Sequence, residues 1–373
     1  MMPFTREPSG DPWDLRESYA HPDQGPHRFF RHVHGDMQRR FTELTDADSM
    51  PAVFLHGNPH LANYAKTSRG AAMVDFDRAR FGPYAYDLVR FLISVSLRRA
   101  DDGDGRLAHG AVTDSLRRGY LLGLNAPKLP VEQMHALKKR EPKGWQRDLV
   151  RYLEKGKAWG ARLKKHRVDP QDPRLHAMWE TYLISRGEEE LTDRYSLIDA
   201  AMVAGSLGKT HTLLLLESAE DTLDTLLLDV KEVYDEPDEG PFWNPYSHNG
   251  QRMVVAGELH APGWERKPGW ATVDGVQYWV REIPIQNEKL RRRISPIEQI
   301  DLCFAVGTQL GRAHGLSVLD ARPDVLVDAI MEEYAELLDV ALTMRRELTV
   351  AHRAYVDASL VGQRSSVRSA EAR

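Results

Sequence analysis

Residues 51–91, PAVFLHGNPHLANYAKTSRGAAMVDFDRARFGPYAYDLVRF, hold the densest set of side chains in this chain that could do chemistry. His56, Asn58, His60 and Asn63 lie close together, and Asp75 and Asp77 follow a short turn. Gly57 and Pro59 keep the segment 56–63 out of a helix. The runs 63–67 and 71–75, on either side of Ser68-Arg69-Gly70, read as the two strands of a hairpin. With the turn centred on Arg69, Asn63 faces Asp75, and His60 and Asp77 stand nearby. An amide oxygen beside a carboxylate gives two hard ligands of the kind Mg²⁺ accepts when phosphates supply the others. The same residues offer a second chemistry, a hydrolytic zinc site built from His56, His60, Asp75 and Asp77. Its His-x₃-His spacing needs a helix, which Gly57 and Pro59 forbid, so the alternative reading makes His56 a loop anchor and His60 a hydrogen-bonded support.

A second group lies far downstream, in AGSLGKTH (204–211) and LLLDVKEVYD (226–235). Gly208-Lys209-Thr210 resembles the end of a P-loop, but Val203 stands where that motif needs a glycine, and an aliphatic strand follows where it needs a helix. A glycine loop between two strands instead suits backbone amides that cover nucleotide phosphates, here Gly205, Ser206 and Gly208 with Lys209. Lys231 sits in the next apolar strand, from which a lysine can reach the α- and β-phosphates; otherwise it is costly to bury there. Glu258, on the helix that follows, is the candidate ion-pair partner for Lys231.

The elements that must position these residues follow from periodicity. Ala52–Leu55 is a short buried strand, and 27–44 carries Phe29, Phe30, Val33, Met37, Phe41 and Leu44 at helical spacing. A strongly apolar helix covers 84–97, and helices broken by Pro and Gly fill 101–195. Strands are predicted at 213–217 and 226–233, a helix at 251–260, and a hairpin over 269–284 with its turn at Asp274-Gly275. Long helices follow at 296–316 and 323–348. These divide the chain into a disordered N-terminus (1–26), a catalytic-loop and helical substrate lobe (27–195), a nucleotide lobe (196–290), helices that complete the catalytic lobe (291–360) and a disordered tail (361–373). Between Lys138 and Arg167, twelve Lys or Arg stand against Glu141, Asp148 and Glu154, which gives either a solvated face or a surface for an anionic substrate.

Composition bounds the rest. The 373 residues suffice for two lobes, and 42% hydrophobic with 28% charged residues is an ordinary globular balance. A formal net charge of −5 argues against a general nucleic-acid binder. The single cysteine, Cys303, precludes an internal disulfide. With no apolar leader and no membrane-length run, it suits a cytoplasmic protein.

HGNPHLAN followed by VDFDRARFGPYAYDL resembles the catalytic segment of the aminoglycoside phosphotransferase and choline kinase group, and more closely that of an uncharacterised bacterial family (DUF2252-like). The resemblance makes Asn63 and Asp75 the metal ligands and Asp87 the buttress of the catalytic loop. The G-S-x-G loop and the V-K-E strand around Lys231 agree with the bacterial family. So do the Y-x-V-R run containing Arg281, which leads to an adenine-reading hinge, and QLGRAHGLS (309–317). It implies an α+β, protein-kinase-like two-lobe fold, rich in helix and circularly permuted, with the catalytic lobe N-terminal and the nucleotide lobe C-terminal. It also implies ATP and Mg²⁺ as cofactors and a small-molecule acceptor. One position departs from the pattern: Asn58 stands where the catalytic Asp belongs. An amide is no general base, so Asn58 would orient a nucleophile through its carbonyl oxygen, or His60 or Asp77 would take the proton. The alternatives are transfer of AMP and a nucleotide-binding protein without transferase activity.

Overall fold

The computed structural model describes residues 11–98, 110–155, 165–204, 209–220, 224–290, 294–319 and 322–371, with Pro3, Phe4, Arg6 and Pro8. In chain order its helices are α1 (Trp13–Ala20), α2 (Gly25–His32), α3 (His34–Leu44), α4 (Ala85–Arg98), α5 (Gly110–Asn125), α6 (His135–Lys138), α7 (Leu149–Lys155), α8 (Pro173–Arg186), α9 (Leu191–Arg194), α10 (Asn249–His260), α11 (Pro296–Ser317) and α12 (Asp324–Glu371). The strands are β1 (Ala52–Leu55), β2 (Tyr64–Thr67), β3 (Gly70–Met73), β4 (Arg80–Pro83), β5 (Arg167–Val168), β6 (Tyr195–Ala204), β7 (Thr210–Ser218), β8 (Thr225–Glu232), β9 (Arg266–Val273), β10 (Val276–Glu282) and β11 (Glu288–Lys289).

Two cores result. One is helical: α4, α5, α11 and α12 bury Leu88, Leu92, Leu116, Leu302, Val306, Leu310 and Leu337 together with β1 and the β2–β3 hairpin. The other lies on one face of a six-stranded antiparallel sheet, ordered β5-β6-β7-β8-β10-β9, where α8 covers Leu214, Leu228, Val230 and Val280. Strand alternation decides what the opposite face carries. In LLLDVKE, Leu226, Leu228 and Val230 enter the α8 core, so Leu227, Asp229 and Lys231 point the other way.

Several expectations need correction. The N-terminal segment is not wholly disordered: α1 packs Tyr19 against Phe29 (ring centroids 5.6 Å) and Tyr355 (5.2 Å), and His352 bonds the Tyr19 carbonyl at 2.8 Å. Composition pointed to disorder, but these aromatic contacts with α12 fix it. The helix over 27–44 is broken at Val33, whose ψ of 43° separates α2 from α3. The final helix continues to Glu371 rather than giving way to a disordered tail. The hairpin turns on two residues, Ser68 and Arg69, with Thr67 paired to Gly70 and Tyr64 to Met73. That shifts the register by one, so the Asn63 carbonyl meets the Val74 amide (2.9 Å) instead of Asn63 facing Asp75. Gly70 makes this possible by entering the strand at φ 136°.

Candidate active site

A cavity of about 400 Å³ lies between the β2–β3 hairpin and the free face of the large sheet. The hairpin side supplies Ala62, Asn63, Ala65, Val74 and Asp75. The sheet supplies a block fixed by register: Lys231 lies between His211 and Trp279, and Asp229 between Leu213 and Arg281. Trp145, Gln146 and Tyr152 close a third side, and Ile283, Pro284, Ile285 and Asn287 line the exit of β10. The wall is thus aromatic and aliphatic with a few convergent polar groups, as small-molecule sites usually are.

Lys231 joins the two halves. Its Nζ donates to both Asp77 carboxylate oxygens, at 2.7 and 2.6 Å, and lies 3.6 Å from Asp75 Oδ1. Burial opposes the ammonium, but Asp77 and then Asp75 outweigh it and keep Lys231 protonated. The two carboxylates share that cation and titrate as a pair. Lys231, helped by Arg31, overcomes burial to hold Asp75 down at about 2, while burial and the Asp75 charge push Asp77 up. Asp75 leaves its strand at φ 74°, and its carboxylate stays 39% exposed. Asn63 Nδ2 donates to the Asn58 carbonyl at 3.3 Å, which leaves its Oδ1 for another partner. Asn63 and Asp75 therefore line one cavity despite the shifted register, and together they fit a hard cation that takes further oxygens from phosphates.

The loop before the hairpin is held from beneath. The Asp87 carboxylate accepts from the His56 amide (2.7 Å), the Gly57 amide (3.0 Å) and His314 Nε2 (3.2 Å), and Tyr120 bonds the other His314 nitrogen at 3.0 Å. Burial opposes its charge, but the His314 hydrogen bond keeps the pKa of Asp87 low. Gly57, at φ 77°, lets the loop touch the Arg78 carbonyl, which a Cβ would meet at 1.8 Å. Gln309 braces β3 by bonding both the amide and the carbonyl of Met73.

Other candidates sit differently from their sequence roles. His60 is fully buried, with neither ring nitrogen bonded, and packs edge-on against His27 at 5.5 Å. It does not reach the cavity, and burial with Arg31 nearby drives its pKa well down. His56 is buried among Phe76 and His260. Among the described residues no three His, Cys, Asp or Glu side chains form a metal-holding group, so the zinc reading lacks a ligand set. Glu258 is exposed and accepts only a long bond from the Gly263 amide (3.4 Å); the partners of Lys231 are Asp77 and Asp75 instead. Lys209 pairs with Glu232 at 2.8 Å and lies 5.5 Å over the Tyr234 ring, outside the cavity wall. Arg281 lines the cavity, paired with Glu265 and stacked on Trp279 at 4.8 Å. Gly205, Ser206 and Gly208 lie outside the described residues, in the connection between β6 and β7. Asn58 is half-buried, and its Oδ1 accepts two bonds from Arg90, 2.9 Å from Nε and 2.6 Å from Nη2.

Sequence reading passed over the His211–Asp229 pair (2.8 Å), in which the histidine bond outweighs burial and keeps Asp229 ionised, and the tryptophans of the wall. The signal for Asp229 was available: it is a lone acid two positions before Lys231 in an aliphatic strand.

Two family models match different parts of the chain. Residues 132–358, more than half of the chain, match the family described as "Uncharacterized protein conserved in bacteria (DUF2252)", and the protein belongs to that family. Residues 2–122, which contain the hairpin and Asp87, match the phosphotransferase enzyme family, a kinase-like group. No curated protein and no solved structure matches the chain. The fold is a mixed α/β one with antiparallel sheets, and no helix among the described residues is long and apolar enough to cross a membrane.

Proposed function

We propose that the protein is an ATP-dependent phosphotransferase that binds Mg·ATP in the cavity between the hairpin and the sheet and acts on a small-molecule acceptor. One observation carries the reading: Lys231, on the sheet, reaches the Asp75–Asp77 pair on the hairpin across that cavity. A lysine that meets two acids there is placed to exchange them for nucleotide phosphates, while Asp75 and Asn63 hold the cation. Bound Mg²⁺ would neutralise charge on the transferring phosphoryl group. The apolar wall at Trp279, Trp145 and Ile283 is the place for the base. The chain runs hairpin first and sheet second, the reverse of the usual kinase order, which supports a circularly permuted kinase-like fold. The single, buried and unpaired Cys303 suits a reducing compartment such as the cytoplasm.

A second reading, nucleotide binding without transfer, is favoured by Asn58, whose oxygen is already engaged by Arg90 and so cannot orient a hydroxyl. Calorimetry with Mg·ATP tests what both readings share. Binding with micromolar to millimolar affinity is expected, and no binding at millimolar nucleotide would refute both. Turnover of bound ATP then separates transfer from binding alone, and mass spectrometry of the products reveals any transfer of AMP.

A further inference from the structure

The ground beside Asn58 carries positive charge that no carboxylate among the described residues pairs with. Arg90 is fully buried, stacked 4.4 Å over Phe30; its guanidinium bonds the neutral Asn58, and Nη1 has no partner. Arg31, one residue from Phe30, has a buried Nε without a partner, and its charge acts on both Asp75 and His60. Among the described residues neither arginine has a carboxylate within ion-pair distance. Tyr86 and the Asp87 carboxylate favour the Arg90 charge, but Asp87 lies beyond ion-pair distance and is engaged by the His56 and Gly57 amides and by His314. Glu236 is shared by Arg78 and Arg80, Asp77 is taken by Lys231, and Arg252 bonds the carbonyls of Asp77 and Ala79. His34, whose Nε2 lies 4.0 Å from Glu236, and His60, both buried, add ring nitrogens with no hydrogen bond. A buried cation without an anion is costly, so an arrangement that keeps one is suited to receive an anion from outside.

Asn58 points the same way. Arginine only donates, so the Asn58 oxygen must face Arg90, which turns its Nδ2 donors to the other side. Where a hydroxyl-phosphorylating enzyme needs a proton acceptor, this loop therefore presents donors.

We infer that the acceptor is an ionised oxyanion, a carboxylate or a phosphate, seated on Arg31 and Arg90 beside Asn58. This rests on the phosphotransferase reading and names its substrate class. The chemistry balances without a base. An acceptor oxygen attacks the γ-phosphorus, the bond from that phosphorus to the β–γ bridging oxygen breaks, and ADP leaves with the electron pair. No proton has to be removed, because the nucleophile arrives ionised. A carboxylate gives an acyl phosphate and a phosphate gives a phosphoanhydride. In both cases the arginines position the oxyanion and offset its repulsion from the nucleotide.

Calorimetry on the full chain saturated with Mg·ADP tests this, with inorganic phosphate and acetate as separate probes. At least one probe is expected to bind at millimolar concentration, and the tighter of the two identifies the acceptor class. Arg31→Ala should weaken that binding at least about tenfold, the size of a lost charge-assisted bond. Arg31 makes no bond to the described protein, so the variant should fold. Arg31→Lys should restore part of the affinity, and Asn58→Asp, which sets a carboxylate against Arg90, should abolish binding in a folded protein. If Mg·ADP binds and neither anion does, the inference fails while the nucleotide site stands. If Mg·ADP does not bind, the nucleotide site fails and the inference with it. Phosphate that binds alone but is expelled by Mg·ATP would assign these arginines to the nucleotide and would also overturn the inference.

Discussion

Two buried cations near the 56–77 segment are treated differently. Lys231 has two carboxylates within reach, while Arg90 has an amide oxygen and an aromatic face. The first arrangement is balanced by the protein itself, and under the proposed function a nucleotide would exchange its partners. The second is unbalanced and is completed by an anion. On the proposed function, the difference would let one segment keep a nucleotide apart from its acceptor, although both would meet basic residues.

The comparison can be broken from below by removing its shared support. Asp87→Ala deletes the acceptor for the His56 and Gly57 amides and for His314, all buried. It should cost about 3–5 kcal/mol, measured by urea denaturation, because the loop donors and the histidine lose their partner. A loss below about 1 kcal/mol would mean that the loop does not depend on Asp87.

Neutralising each cation sharpens the contrast. Lys231→Met leaves Asp75 and Asp77 facing each other and should cost about 3 kcal/mol at neutral pH. Much of that should return in mild acid, as the pair takes up its first proton. Arg90→Met removes a buried charge without a carboxylate and should change stability by no more than about 1 kcal/mol. Equal losses in the two variants would erase the distinction.

The buried histidines give a graded effect. Burial lowers His32 to about 4 and His260 to about 3, and drives His34 and His60 well below their ordinary value. These groups stay neutral in the fold but take up protons when it opens. Their contribution is full above about pH 6.5 and is lost as pH falls from there towards the folded values. Each changes the slope by up to about 1.4 kcal/mol per pH unit. Denaturation midpoints should therefore drop steadily between pH 7 and pH 4; a flat profile would mean that these rings are solvated.

Asn58→Asp is the mildest change for the fold. A carboxylate facing the Arg90 guanidinium should raise stability by about 1 kcal/mol, partly offset by repulsion from Asp77. Calorimetric unfolding checks the sign, and destabilisation would show that Arg90 is already compensated.

The sequence made much of this readable where local rules govern. The turn Asp274-Gly275 has both residues at positive φ, 52° and 76°, as a tight hairpin requires. Lys231 stood out because a charge in LLLDVKE has to be there for a reason. What could not be read depends on contacts between distant segments. Lys231 and Asp77 are 154 residues apart, and local order suggested Glu258 instead. The one-residue shift in the hairpin turned on whether Gly70 ends the turn or begins the strand, and composition does not distinguish these. Tyr19 looked like part of a polar tail until α12 supplied the aromatic surface that holds it.

On the proposed function, hairpin and sheet are two halves of one nucleotide site. Titration with Mg·ATP of the native protein, Lys231→Met and Asn63→Ala tests it most directly. Each variant, altered on opposite walls of the cavity, should lose at least about tenfold in affinity while remaining folded. Nucleotide affinity unchanged in either variant would contradict it.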